Sequence, residues 1–194
     1  VGLWATNHEF RVRAIDPAGN ADPTPAAHSW TVRPAPVPMA VTCGQTITQS
    51  VLLTNALTNC QGDGLVIGAA AITVDLNGFT IDGNGQGAGI RNNGHDEVTV
   101  TNGLIQEFDH GVRLLSETAL NRVEDLALLS NEVAGVELFD ADDGNELRGN
   151  TLEDNGGGLL LLSGTSGAVA ADNTMTLNSG GALVVRDSDR NRLE

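Results

Sequence analysis

Three sets of side chains in this chain have the types and spacing to do chemistry. Arg91, Arg113 and Glu137 recur at nearly equal intervals, two guanidiniums followed by a carboxylate. Stacked one above another, they would clamp a uronate or a sulfated sugar through bidentate contacts. Left to themselves, they are a solvated face with one surface ion pair worth roughly 0–1 kcal/mol. Asp140, Asp142 and Asp143 crowd one short segment, and Asp187 and Asp189 recur further on. Carboxylates clustered on a turn can supply the oxygen ligands of calcium, although Asp also suits turns for its own backbone hydrogen bonding. His95-Asp96 and Asp109-His110 each set an imidazole beside a carboxylate, the pairing used in acid–base chemistry. Cys43 and Cys60 complete the inventory. They can form a disulfide closing a loop worth roughly 3 kcal/mol in the chain-entropy model, remain two free thiols, or form half of a metal site. No His or further Cys is placed to complete zinc ligation, which favours the disulfide and with it an oxidising compartment. A glycine-rich phosphate loop, a nucleophile elbow and a His pair at metal-ligand spacing are all missing, so cofactor chemistry receives no support.

The spacing of these residues follows a repeat. Gly64, Gly89, Gly111, Gly135, Gly158 and Gly181 lie 25, 22, 24, 23 and 23 residues apart, and each opens an apolar–variable–apolar triplet. A fixed period of this size is the signature of a solenoid. The apolar runs are short, interrupted every few residues by Gly, Asn or Asp, and never hold a 3.6-residue period, so the coils are built of strands. Equivalent strands then pair in parallel about 4.8 Å apart, through connections that are right-handed. The expected fold is an all-β, right-handed parallel β-helix of about six coils. Ile90, Val112, Val136, Leu159 and Ala182 should form one inward stack, and Leu114, Leu138, Leu161 and Val184 the next. The outward column between them reads Val66, Arg91, Arg113, Glu137, Leu160, Leu183. Asn columns run alongside: Asn121, Asn145 and Asn191, interrupted at Ala168, and Asn131, Asn155 and Asn178, with Asn77 and Asn102 as an earlier match. Stacked Asn side chains can hydrogen-bond from rung to rung.

The coils occupy residues 64–194, and residues 40–63, which hold both cysteines, should cap their first end, because an uncapped coil exposes its core and its strand edge. Gly181 opens a coil that stops at Glu194 without a cap, and Val1, Gly2, Leu3 and Trp4 read as the middle of a longer chain. Residues 34–39 contain three prolines and form a semi-rigid linker. Residues 1–33 lack the period. His8 to Ala14 alternates with Phe10, Val12 and Ala14 on one face, Asp16 to Asn20 is a turn, and Ser29 to Val32 is a second strand. With a net charge of −15, ten Arg and no Lys, the chain lacks the basic surface that nucleic-acid partners require. Anionic lipid surfaces are disfavoured for the same reason, and no apolar run is long enough for membrane insertion. Only six aromatics are present, so small aliphatics must fill the core.

Two resemblances sharpen this reading. Residues 8–32, HEFRVRAIDPAGNADPTPAAHSWTV, resemble the closing hairpin of the immunoglobulin-like or fibronectin-like modules of bacterial surface proteins. Residues 43–94, from CGQTITQSVLL to GIRNNG, resemble the opening of secreted right-handed β-helix proteins of the pectate-lyase-like superfamily, and the later coils resemble the generic β-helix repeat. The resemblance implies a secreted or cell-surface protein that meets extracellular polysaccharide. It implies either a scaffold or binding surface, or a polysaccharide lyase using calcium and a basic Arg. A purely structural spacer is the third expectation. The hydrolases of that superfamily carry Gly-His-Gly and Arg-Ile-Lys signatures. Here Gly94-His95 is followed by Asp96, and no Lys exists. The Asp-Pro-His signature of alginate epimerases is also missing, so hydrolase and epimerase chemistry are disfavoured.

Overall fold

The structure, a computed structural model, describes residues 7–194, and for Asn7, Thr31 and residues 160–162 it describes the backbone alone. The reading of Val1, Gly2, Leu3 and Trp4, and the side-chain assignments of Leu160 and Leu161, lie outside the described residues. The chain divides into two units, Val1–Ala35 and Pro36–Glu194.

In the first unit, strands Asn7–Val12 and Ala26–Thr31 pair antiparallel, with Phe10 opposite His28 and Val12 opposite Ala26. The second strand begins at Ala26 rather than at the expected Ser29. Asp16 organises the turn. Its Oδ1 accepts the N–H groups of Ala18 and Asn20, which replaces backbone partners the turn would otherwise lack.

The second unit is strand and turn throughout. No helix among the described residues is long and apolar enough to cross a membrane. A seven-stranded parallel sheet collects one strand per coil: Gln45–Ile47, Leu65–Ile67, Ala88–Asn93, His110–Leu115, Ala134–Phe139, Gly157–Leu162 and Leu183–Val185. An eleven-stranded sheet wraps the other two faces. Strand Thr99–Gln106 shows how. Its first half pairs with Thr73–Asp75 and its second half with Thr80–Asp82, so one strand bends round a corner. Each full coil is thus a triangle stacked on the next, which is the predicted parallel β-helix of about six turns.

The expected cap is itself a coil. Gln45–Ile47 pairs in parallel with Leu65–Ile67, and Val51–Leu53 with the strand at Thr73–Asp75. The Cys43–Cys60 disulfide is formed, with Cα atoms 5.4 Å apart. The linker also shortens, because Val37–Met39 pairs with Val51–Leu53 as a first strand of the solenoid. Pro38 is tolerated there because this strand lies at the edge of its sheet, where a missing N–H breaks no ladder.

The core follows the predicted stack through most of its length. Ile90, Val112, Val136 and Leu159 are in register and buried. The last rung departs from expectation. Leu159 pairs with Leu183, not Ala182, and Leu160 pairs with Val184. Ala182 is exposed, while Leu183 packs against the core. The slip is visible in the glycine column. A Cβ on Gly64, Gly89, Gly111 or Gly135 would lie 2.5, 2.8, 2.5 or 3.0 Å from the carbonyl oxygen of the next glycine in the column. At the last rung the carbonyl facing Gly158 belongs to Ala182, so Gly181 has left the column by one residue. Its cause is apolar: the shift turns Leu183 inward in place of a methyl group, which removes more apolar surface from water.

Asn side chains pin all three corners. At one corner Asn92 donates to Asn121 (3.3 Å) and Asn121 to Asn145 (3.0 Å). The ladder then skips Ala168, whose N–H reaches Asn191 Oδ1 at 2.9 Å. At another, Asn131 donates to Asn155 and Asn155 to Asn178. The third, Asn150 to Asn173 at 3.0 Å, is an additional ladder that the glycine marks do not reveal. Asn77 and Asn102 are different. They are exposed bend residues with φ of 53° and 62°, a conformation that Asn adopts more readily than most side chains.

Candidate functional site

The outer face of the seven-stranded sheet carries the predicted column. Register sets Arg91 beside Arg113 and Arg113 beside Glu137. Strand alternation turns all three away from Ile90, Val112 and Val136. The column is not an open anion clamp, however. Arg113 Nε is ion-paired to Glu137 Oε2, and Arg91 Nε lies 2.9 Å from Asp63 Oδ2. Each guanidinium therefore meets its own carboxylate, and the expected uronate or sulfate clamp is already neutralised. This is the arrangement like charges require when parallel pairing holds them one rung apart.

Glu137 is buried although it stands in the outward column. His110 Nε2 approaches the same Oε2 at 3.2 Å. His110 precedes Gly111, where the chain turns the corner into the sheet, and its ring reaches Glu137 from that corner. Burial holds the His110 imidazole below its usual pKa. The Glu137 carboxylate opposes that shift, Arg113 adds to it and Asp109 opposes it. Burial wins, so His110 is held neutral. The result is a closed cluster of His110, Arg113 and Glu137.

The two His–Asp pairs do not converge. His110 sits in register with Ala88 at the start of its strand, whereas His95 follows the end of that neighbouring strand. Asp109 accepts the Gly87 N–H at 3.0 Å and Asp96 that of Ala119 at 2.8 Å, so both carboxylates serve the backbone of adjacent coils.

The acidic turn does not fit a calcium site. The Asp140 side chain lies over Gly164, and that of Asp143 over Gly167, so the carboxylates part along the next coil. Asp143 Oδ1 accepts Ser166 Oγ at 2.6 Å and Arg190 Nη2 at 3.1 Å. Asp142 contributes its carbonyl to Asn145 Nδ2 at 2.6 Å. Among the described residues no group of three or more His, Cys, Asp or Glu side chains is placed to hold a metal ion.

Two features of this face escaped the sequence reading. Asp63 was passed over because it sits on the turn before a register glycine rather than in any column. Phe139 is 43 % exposed and stands beside Leu115, which in turn stands beside Asn93. Alternation from Glu137 would have found it, since residues two apart share a face.

No curated protein and no solved structure is matched by the chain. Residues 43–194 match the model of the right handed beta helix region. With parallel ladders running through that whole span, the chain belongs to the right-handed β-helix family.

Proposed function

We propose that the solenoid is a binding surface for extracellular carbohydrate in a secreted or cell-surface protein, and that the outer face of the seven-stranded sheet is the surface used. The observation that carries this reading is the pairing of two parallel columns on that face. One column, Arg91, Arg113 and Glu137, is polar and charge-compensated. The other, Asn93, Leu115 and Phe139, ends in an exposed aromatic. A sugar ring has an apolar C–H face and a hydroxyl rim, and such a pair of columns serves both, the aromatic body taking the first and the polar heads the second. The disulfide is consistent with an oxidising compartment. Ion pairing engages Arg113 and Glu137 with each other, which favours binding over a lyase reaction that needs a free base. The Val1–Ala35 unit fits the closing hairpin of an immunoglobulin-like module, since Phe10, Val12, Ile15 and Trp30 are exposed along a two-stranded ribbon.

The test is retention of the full chain on a panel of soluble and insoluble polysaccharides, with Phe139→Ala as the variant. Retention weakened by the substitution is expected. Arg113→Ala is unsuitable, because it would strand the buried Glu137 carboxylate and unsettle the fold. Growth of an unsaturated-uronate absorbance on the same polymers would favour the lyase reading. Retention on none of them would leave the spacer.

A further inference from the structure

The first end of the same outer face opens into a pocket of about 450 Å³ bordered by Cys43, Asn59, Gln61, Asp63 and Arg91, with Val66 on its wall. Resting on the carbohydrate reading above, we propose that this pocket is a subsite for an uncharged sugar, gripping two adjacent ring hydroxyls between Arg91 and Asp63.

The donor and acceptor set is specific. Asp63 is fixed from below, its Oδ1 accepting the Ala88 N–H at 3.0 Å. It holds Arg91 by an ion pair at 2.9 Å. Asp63 engages Arg91 through Nε, and among the described residues the Nη groups make no hydrogen bond, so they remain open to a ligand. Gln61 Nε2 donates to the carbonyl and to Oδ1 of Asn59, at 3.2 and 3.1 Å. Those bonds leave Asn59 Nδ2 as a donor and Gln61 Oε1 as an acceptor at the mouth of the pocket. Donors and acceptors therefore alternate around it, which matches hydroxyls, each of which gives one proton and accepts at two lone pairs.

Charge decides against an anionic ligand. One guanidinium faces Asp63, and Asp82 stands immediately behind, its Oδ2 accepting the Asn59 N–H at 3.2 Å. The site is balanced or slightly negative, in a chain of net charge −15. A second carboxylate or a sulfate would find no unpaired cation there, whereas a neutral polyol meets no repulsion. The Cys43–Cys60 bridge closes the loop that bears Asn59, so the polar groups are held in place before a ligand arrives.

The test is NMR titration of the full chain with methyl α-D-mannopyranoside and methyl β-D-galactopyranoside. Their deoxy analogues, sodium galacturonate and sodium sulfate are titrated alongside. The Arg91 Nε–H and the Asn59 and Gln61 side-chain amides should shift with at least one neutral glycoside. Removing one hydroxyl of its diol, or substituting Arg91→Gln, should weaken binding at least about tenfold. Gln61→Ala is a second variant that leaves the Arg91–Asp63 pair intact, and it should weaken binding less. Unchanged melting curves would show that both variants fold. Tighter binding of galacturonate or sulfate at the same signals would overturn the proposal in favour of an anion site. Shifts confined to Phe139 and Arg113 would overturn the pocket and leave the surface reading standing. Retention on polysaccharide without any shift from these small sugars would do the same, whereas failure of both assays would remove the carbohydrate reading as well.

Discussion

The Asn ladder at Asn131, Asn155 and Asn178 is the most demanding test of how the coils hold together, and Asn155→Ala is the sharpest cut. Asn155 is 2 % exposed. Its Oδ1 accepts the backbone N–H and the Nδ2 of Asn131, both at 2.9 Å. Its Nδ2 donates to Leu128 O at 2.9 Å and to Asn178 Oδ1 at 3.1 Å. Truncation to a methyl group leaves two Asn131 donors and the Leu128 carbonyl short of a partner in the dry interior. Each such group costs about 1–3 kcal/mol. With the neighbours relaxing, the loss should be about 3–5 kcal/mol. Urea unfolding followed by far-UV circular dichroism measures it. Tryptophan fluorescence would not, since Trp4 and Trp30 both lie before the solenoid. Hydrogen exchange should show the Asn131 amide losing protection. A loss below about 1 kcal/mol, with the Asn131 amide still protected, would refute the claim that these side chains carry the corner.

Other outcomes follow from the same geometry. Gly111→Ala should destabilise by about 1–3 kcal/mol in thermal melts, because the new Cβ would lie 2.5 Å from the Gly135 carbonyl and 2.7 Å from the Leu128 side chain. Reducing the Cys43–Cys60 bridge, which spans 17 positions, should lower stability by about 3 kcal/mol in urea melts with and without reductant. Burial lowers the His110 pKa below its ordinary 6.5, so the unfolded chain takes up the proton first. The contribution of the neutral imidazole is then complete above about pH 6.5 and lost as the pH falls below it. Urea midpoints between pH 7.5 and about 5 should decline less steeply in His110→Gln, and an unchanged slope would count against the buried cluster.

Much of the fold is legible in the sequence, and the reason is repetition. A glycine column can be read as a period because each coil imposes the same demand, room for the carbonyl of the next coil. Ile90, Val112, Val136 and Leu159 could be stacked on paper because they hold one offset from those glycines. The period misleads where the offset changes. At the last rung Gly181 keeps the spacing but not the place, and Leu183 takes the inward position assigned to Ala182. The third Asn corner, Asn150 and Asn173, forms no long column in the sequence, because Leu126 takes its place in the preceding coil. The strands of the cap are hidden for a related reason. Its first coil is shorter, so they fall outside the period although they join the same sheets.

The site was less legible. The sequence by itself determined that Arg91, Arg113 and Glu137 share one outward column, since parallel strands of period two allow no other sorting. It also determined that Cys43 and Cys60 had no zinc-binding company. Only the tertiary structure decided the electrostatics. Asp63 and His110 reach the column from turns and corners, where backbone direction follows no period; Asp63 closes Arg91 into a pair, and His110 packs on the Glu137 carboxylate that holds Arg113. The acidic turn shows the converse. Asp140, Asp142 and Asp143 are neighbours in the chain, but successive side chains at a coil corner point along different parts of the next coil. Adjacency in sequence therefore did not become convergence in space. Periodic strands transmit position reliably from residue number to surface. Turns do not, and the groups that set the chemistry of this face are held by turns.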